Sequence, residues 1–574
     1  MKNKLYKKIL LLFLTGPLFI SCEDWLSPKP LSFYAPENTF VDKAGFESIL
    51  VSCRKQLKLE WFGDNNPSMY EYAFSDLGVF GCPEAVNIHN LEIQFTPYSA
   101  TPRLWSLAWG GIKYANIVIT RQEKADFKTE QDKNEILSEE YFHRAYWYYR
   151  LVNLWGDVPM ILQEVEEPKM DFNSSPRLEI LKQMKDDLEF AVKWLPEKAE
   201  YGAVNRAAGE HLLTKIYLSL GEFENAIASA SRCIKNYGHD LMRERFGVRK
   251  NDGIHDVVND LFNPDNISSK ENLEGILVVQ ERFGMEGNTG PGDKGSQRMR
   301  GWTPYWCGPD VLDPDGKRGC VDGKNVALMD SLGRGIAGVR PSNFYQYYLW
   351  KDCKNDLRHN SVNWYDISRL WYNNPKSDYY EKQVQKAYVR DTFRCYFSWP
   401  YYKIFVGKDE INVGNNPKGG FTDQYIFRLA ETYLLRAEAY YWADRSEEAL
   451  ADLNEIRKRA KAPELESISI EDILDERARE LYFEEPRKCE LTRIAFIMAQ
   501  LGKNGYSLDN FHKKNYYYDR AIEKNNFYKE EYFYSTNKYV IRPYHVLWPI
   551  PNETIVANAE GNITQNLGYP GAKE

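Results

Sequence analysis

Apolar positions recur at helical spacing over much of the chain. In residues 139–155, EEYFHRAYWYYRLVNLW, the positions Tyr141, Phe142, Ala145, Tyr148, Tyr149, Val152 and Trp155 make a wide apolar stripe, and Gly156-Asp157-Val158-Pro159 stops it. Residues 205–235 predict two helices that meet at Gly221, with small Ala208, Ala226, Ala228 and Ala230 among large Leu, Tyr and Phe. Residues 425–459 repeat this theme, with Ala430, Ala437, Ala439, Ala443 and Ala449 as the small positions and a turn near Asp444-Arg445-Ser446. Residues 472–484 predict a further helix. Small residues accepting large ones from a neighbouring helix are the packing of a tetratricopeptide-type hairpin. The spacing is uneven, so the pattern predicts a mostly α, tetratricopeptide-like helical-repeat scaffold rather than a regular solenoid.

The helical period fades between about 240 and 420, where Gly, Pro, Asn and Asp increase. Gly284–Trp306, GMEGNTGPGDKGSQRMRGWTPYW, reads as a loop. Long irregular inserts on helical scaffolds are where function usually sits. Residues 396–405, YFSWPYYKIF, are aromatic enough for a core strand or a binding surface. After 541 the chain is rich in Pro, Gly and Asn yet carries Trp548 and Ile550, which predicts an ordered tail pressed on the body.

The first residues change the picture of compartment. Lys2, Lys4, Lys7 and Lys8 precede a short apolar stretch, Ile9–Ile20, that is too short to span a bilayer and reads as an export signal. Leu18-Phe19-Ile20-Ser21-Cys22 resembles a bacterial lipoprotein signal, with Cys22 as the lipidated mature N-terminus. Several acyl chains on one cysteine would anchor the protein firmly. Glu23 and Asp24 resemble the acidic tag that sends lipoproteins of gut Bacteroidetes to the outer face of the outer membrane. The expected organisation is a signal peptide over 1–21, a lipidated N-terminus and tether over 22–45, and one domain over 46–574. That domain would carry helical hairpins at about 139–235 and 425–490 and the irregular insert at about 240–420. No later apolar run is long enough to cross a membrane, so the lipid is the expected membrane contact.

Charge narrows the partners. With 74 Lys and Arg against 82 Asp and Glu, and no basic block beyond the first residues, nucleic acid is not an expected partner. Export permits disulfides. The eight cysteines after Cys22 are widely spaced and read mostly as buried thiols, with Cys307 and Cys320 the first pair to test for a bond.

Ordered motifs along nearly the whole chain resemble the SusD/RagB family of outer-membrane nutrient-binding lipoproteins. They are Trp109–Asn116, WGGIKYAN; Glu140–Pro159 with its Gly-Asp-Val-Pro stop; and the hairpin from Ala207-Ala208 to Ala226. Further on come Arg428-Leu429-Ala430-Glu431 with Leu434–Ala439, then Leu453–Ala460, then Glu476-Arg477, Glu480-Leu481, Phe483-Glu484 and Arg487. Trp548-Pro549-Ile550-Pro551, Ile555 and Gln565–Tyr569 resemble the closing signature, with Leu567 where Pro is commoner. The resemblance implies four tetratricopeptide-like hairpins on one side and a ligand-facing side of irregular loops. It implies a lipid-anchored protein on the cell surface that works as a hinged lid on a SusC-type TonB-dependent transporter. It also implies capture of an oligomeric nutrient, usually an oligosaccharide or polysaccharide, without catalysis and without a cofactor.

Composition then bears on the ligand. The chain holds 40 Tyr, 28 Phe and 15 Trp, or 14% aromatic residues. A pyranose stacks its C–H face on such rings and offers hydroxyls to Asn, Asp, Gln or Arg. Trp302, Tyr305 and Trp306 in the Gly/Pro loop are candidate ligand residues, as is Trp61 beside Asp64 and Asn65. Trp350, Trp364 and Trp371 are further candidates that packing would equally explain. Among acidic residues of the insert, Asp256, Asp260 and Asp310 included, Asp313 and Asp315 come nearest to a structural calcium loop but lack the full EF-hand pattern. Glu431, Glu438, Arg436 and Arg457 read as ion pairs locking hairpins rather than as acid–base groups. Arg334, within GRGIAGVRP, reads as part of a tight structural turn. No paired His of metalloprotease spacing and no G-x-S-x-G is present. The alternatives are capture of a peptide or other non-glycan nutrient, a surface glycoside hydrolase, and a pure scaffold for transporter assembly.

Overall fold

The computed structural model describes residues 40–63, 66–82, 100–282, 295, 297–323, 325–406, 420–535 and 537–573. The signal peptide, Cys22, Asp64 and Asn65 lie outside the described residues. A row of eight helices carries the chain: α1 Lys43–Leu59, α2 Ala100–Arg121, α3 Glu130–Leu154, α4 Arg177–Trp194, α5 Arg206–Leu220, α6 Phe223–Asn236, α7 Leu429–Trp442 and α8 Ser446–Arg459. Each packs on the next in the row. Local signals set the boundaries. Asp42, Thr129 and Asn205 cap α1, α3 and α5 with side-chain oxygens, and Gly221 ends α5 at a φ of +77° that favours glycine. Gly111 lets α2 approach α3, because a Cβ there would stand 2.0 Å from Trp147 Nε1.

Residues 237–423 leave the row between α6 and α7. The strand β1, Gly78–Phe80, pairs antiparallel with β3, Val339–Pro341. β2, Gly275–Val279, pairs antiparallel with β4, Gln424–Arg428, which runs straight into α7. Two further helices, α9 Ile470–Leu481 and α10 Arg487–Gln500, pack on α7 and on α3 and α5 respectively.

Buried ion pairs knit these elements. Arg428 meets Glu274, Glu480 and Glu484, and Arg459 meets Glu274 and Glu480. Glu431 takes Lys215 at 2.5 Å, Glu438 takes Arg493 at 2.6 Å, Arg436 takes Asp452 and Arg457 takes Glu476, both at 2.7 Å. These groups therefore hold one helix to another, as their spacing predicts. Taking a charge from water is costly, and only good geometry with a partner offsets the cost.

The tail presses on the body. Trp548 packs edge-on against Trp155 with centroids 5.3 Å apart, and its main-chain N–H donates to Leu154 O at 2.6 Å. Asp157 accepts from the Arg177 N–H at 2.8 Å, closing the turn after α3. All eight cysteines after Cys22 are buried free thiols, so the proposed Cys307–Cys320 bond is absent. Burial pushes both of those thiols up to about 12, which keeps them protonated.

Candidate functional site

The structure buries the tryptophans that the loop composition offered as stacking surfaces, and this corrects the expectation. Trp302 is 3% exposed and meets Tyr72, Tyr482 and Phe483 edge-on. Trp306 is fully buried and donates Nε1–H to Gly333 O at 3.0 Å. Trp61, 3% exposed, lies edge-on to Phe483. A ring packed this way leaves no face for a ligand. Tyr305 is half-buried, and the guanidinium groups of Arg394 and Arg334 lie over its ring at 4.8 and 5.5 Å. Arg334 is itself paired with Asp322 at 2.6 Å, in keeping with a structural turn. Trp350 and Trp364 pack on each other, and only Trp371 is part-exposed, edge-on to Tyr380.

The calcium candidates also have other work. Asp313 is buried and accepts from the N–H groups of Asp315 and Lys317 and from the Ser377 hydroxyl. That is a turn anchor with its oxygens already engaged. Asp315 points to solvent, Asp256 caps the helix Val257–Phe262, and Asp260 pairs with Arg245. Among the described residues, no group of three or more His, Cys, Asp or Glu side chains is arranged to hold a metal ion.

The irregular insert instead forms a groove of about 270 Å³ that the sequence pattern did not single out. It lies between the short helices Val257–Phe262, Met329–Leu332 and Tyr401–Ile404. Tyr401 and Phe405 are part-buried along one wall, while Tyr402 between them turns inward. Tyr401 opens the short helix, Phe405 follows its end, and the two rings lie 5.4 Å apart. Apart from Phe262, the other walls are polar: Arg249, His255, Asn259, Asn263 and Ser331, with Asp330 the one carboxylate in the lining.

A relay of hydrogen bonds orients the cationic wall. His255 Nδ1 donates to Asp252 at 2.5 Å, which leaves Nε2 to accept from Arg249 Nη1 at 3.4 Å. Asp252 also accepts the N–H groups of His255 and Ile254, each at 3.1 Å. Those bonds, led by the His255 N–H, hold its carboxyl well below the usual carboxylate range. Asn263 Oδ1 accepts from Asp265 N–H, and Asn259 Nδ2 donates to Asn363. The result is an apolar wall facing hydrogen-bonding groups whose side chains are held in place. Such a site can stack a flat apolar face and bond its rim. Elsewhere on the insert Tyr347 and Tyr348 are 58% and 67% exposed. The single pointer to the groove in the sequence was the aromatic run 396–405; Arg249 and His255 carried no such signal.

Known proteins share this architecture. A model described as the SusD family matches residues 317–569, and one described as starch-binding associating with outer membrane matches residues 35–218. SusD-like protein P25 of Formosa agariphila is 25% identical, with 99% of this chain and 100% of that protein aligned. Starch-binding protein SusD of Bacteroides thetaiotaomicron is 33% identical over 150 residues, covering 26% of this chain and 22% of that protein. Among solved structures, a laminarin-binding SusD-like protein superposes with a TM-score of 0.65 at 21% identity, over 92% of this chain and 100% of the other. The two family models together match more than half of the chain, and the chain belongs to the SusD/RagB family.

Proposed function

We propose that the protein is a non-catalytic surface lipoprotein, anchored through Cys22, that captures an oligomeric glycan in the groove of Tyr401 and Phe405 and passes it to a SusC-type TonB-dependent transporter. The observation that carries the reading is the groove itself, where two part-exposed rings face the Arg249–His255–Asp252 relay and two asparagines. Rings suit the C–H face of a sugar, and the planar donors suit its hydroxyls. Family membership and the laminarin-binding structural neighbour favour a glycan over a peptide. The helix row is read as tetratricopeptide-like hairpins that support the loops. Glycoside hydrolysis uses two carboxylates facing each other across roughly 5–9.5 Å. Asp330 alone lines this groove, so binding without hydrolysis is the chemistry it suits.

Isothermal calorimetry of the purified protein against laminarin, starch and a peptide panel tests the reading. A saturable glycan titration that weakens in Tyr401→Ala is expected. Binding of peptides alone, or glycan binding indifferent to Tyr401→Ala, would overturn it.

A further inference from the structure

A second groove, of about 520 Å³, opens where the start of α4, the end of α10 and the tail meet. Leu178, Phe496, Leu508, Phe511, Leu547 and Leu567 form its apolar walls, and Gln500 and the tail segment Thr564–Asn566 add a polar stretch. Three of these leucines, Leu178, Leu508 and Leu567, remain exposed at the rim. Arg177 lines the same groove yet is 4% exposed. Its guanidinium lies 4.0 Å over the Phe496 ring, and Phe496 stacks on Phe511 at 4.3 Å. Nη2 donates to Asn153 Oδ1 at 2.8 Å, while Nε and Nη1 are buried with no acceptor.

Most other buried arginines are treated differently; Arg298 and Arg340 also lack a carboxylate partner among the described residues, but neither lines this groove. Arg358, Arg428, Arg477, Arg487, Arg493 and Arg520 each meet at least one carboxylate. Arg177 meets none through its side chain. The nearby Asp157 is engaged by the Arg177 main-chain N–H. Burial pushes Arg177 down to about 9, so it still carries its charge at neutral pH. A buried cation with unsatisfied donors is a costly arrangement unless an anion completes it.

We propose that this groove binds a small amphiphile with one carboxylate, an aliphatic or aryl-aliphatic acid, whose head accepts from Arg177 and whose chain lies along the leucines. The volume falls in the small-ligand range of about 300–1,000 Å³. One buried cation calls for one anion, since Lys573 is exposed, and the leucines beside it suit a hydrocarbon chain. The other titratable side chains in the lining are Asp157, His512, Tyr544 and Lys573.

Calorimetry with octanoate below its micellar concentration, and with octanol as the neutral control, tests the assignment. Octanoate should bind saturably and at least ten-fold more tightly than octanol. Arg177→Met should weaken octanoate at least ten-fold and leave any glycan titration unchanged. Leu508→Glu places a charge at an exposed rim position and should weaken octanoate without loss of fold, so it decides the matter if Arg177→Met fails to fold. No saturable octanoate binding, equal binding of octanoate and octanol, or indifference to Leu508→Glu would overturn the proposal. Binding of a leucine-flanked glutamate peptide in place of octanoate would also overturn it, in favour of a protein partner.

Discussion

Arg487 and Asp76 stand 411 positions apart and meet as a bidentate pair, Nε to Oδ1 at 2.9 Å and Nη2 to Oδ2 at 2.7 Å, with both side chains fully buried. Arg520 adds a third bond to the same carboxylate at 2.7 Å. The pair ties the first turn of α10 to a residue two positions before β1. Breaking one side of a buried pair costs about 3–5 kcal/mol, because the remaining charge stays buried. Arg487→Met is therefore expected to lower the unfolding free energy, read from urea titration, by that amount. Asp76→Asn combined with Arg487→Met should cost less than the two single changes together, since the residues share one interaction.

Acid should unfold the protein through the same network. Burial by itself would raise the Asp76 carboxyl, but the charges of Arg487 and Arg520 outweigh it and hold it well below the usual range. Burial likewise opposes Glu476, and Arg358, Arg479 and Arg457 bring it down to about 2. Both folded values lie below the unfolded ones, so the unfolded chain binds more protons in acid. The stabilisation is present above about pH 4–5 and is lost as pH falls toward 2. Urea midpoints should therefore drop as pH falls from about 4.5 to 3, and Asp76→Asn should flatten that slope.

Glu140 has the opposite sign. Burial raises it to about 8, even though the Cys53 thiol donates to it at 3.1 Å. The folded chain keeps this proton at pH values where the unfolded chain has released it. Stability should therefore fall as pH rises from about 4.5 to 8, with a slope of up to about 1.4 kcal/mol per pH unit from this group. Glu140→Gln should remove that slope, measured as the wild-type-minus-variant difference in unfolding free energy between pH 6 and pH 8.

Two aromatic substitutions separate packing from binding. Trp306→Ala empties a fully buried site and should cost about 3–5 kcal/mol of stability. Tyr401→Ala trims a part-exposed wall of the groove and should cost about 1–3 kcal/mol of glycan affinity, in the range of other ring-stacking contacts. Thermal melts paired with calorimetry on both variants check this. A large affinity loss in Trp306→Ala with an unchanged melting temperature would return the site to the 302–306 loop.

The scaffold was legible because its signals are local. The stripe at 139–155 falls in α3 and its stop, Gly221 caps α5, and Asp444 takes a left-handed φ of +57° at the predicted turn. A 3.6-residue period reports which face of a helix is buried, and a cap lies within a few residues of the end it closes. The loop at 302–306 has no such period. Nothing in its spacing reveals that Tyr72, Tyr482 and Phe483 arrive to cover Trp302.

The sequence by itself therefore determined the helical scaffold, the family and the role of its helix charges as partners for one another. Only the tertiary structure decided which rings stay open and which charges stay single. Tyr401 and Phe405 come within one groove with Arg249 and His255 because the insert folds back on itself. Arg177 goes without a carboxylate because the fold brings Phe496 and Asn153 to its guanidinium instead. Exposure and pairing are sums over neighbours distant in the chain, and a sequence records neighbours only along it.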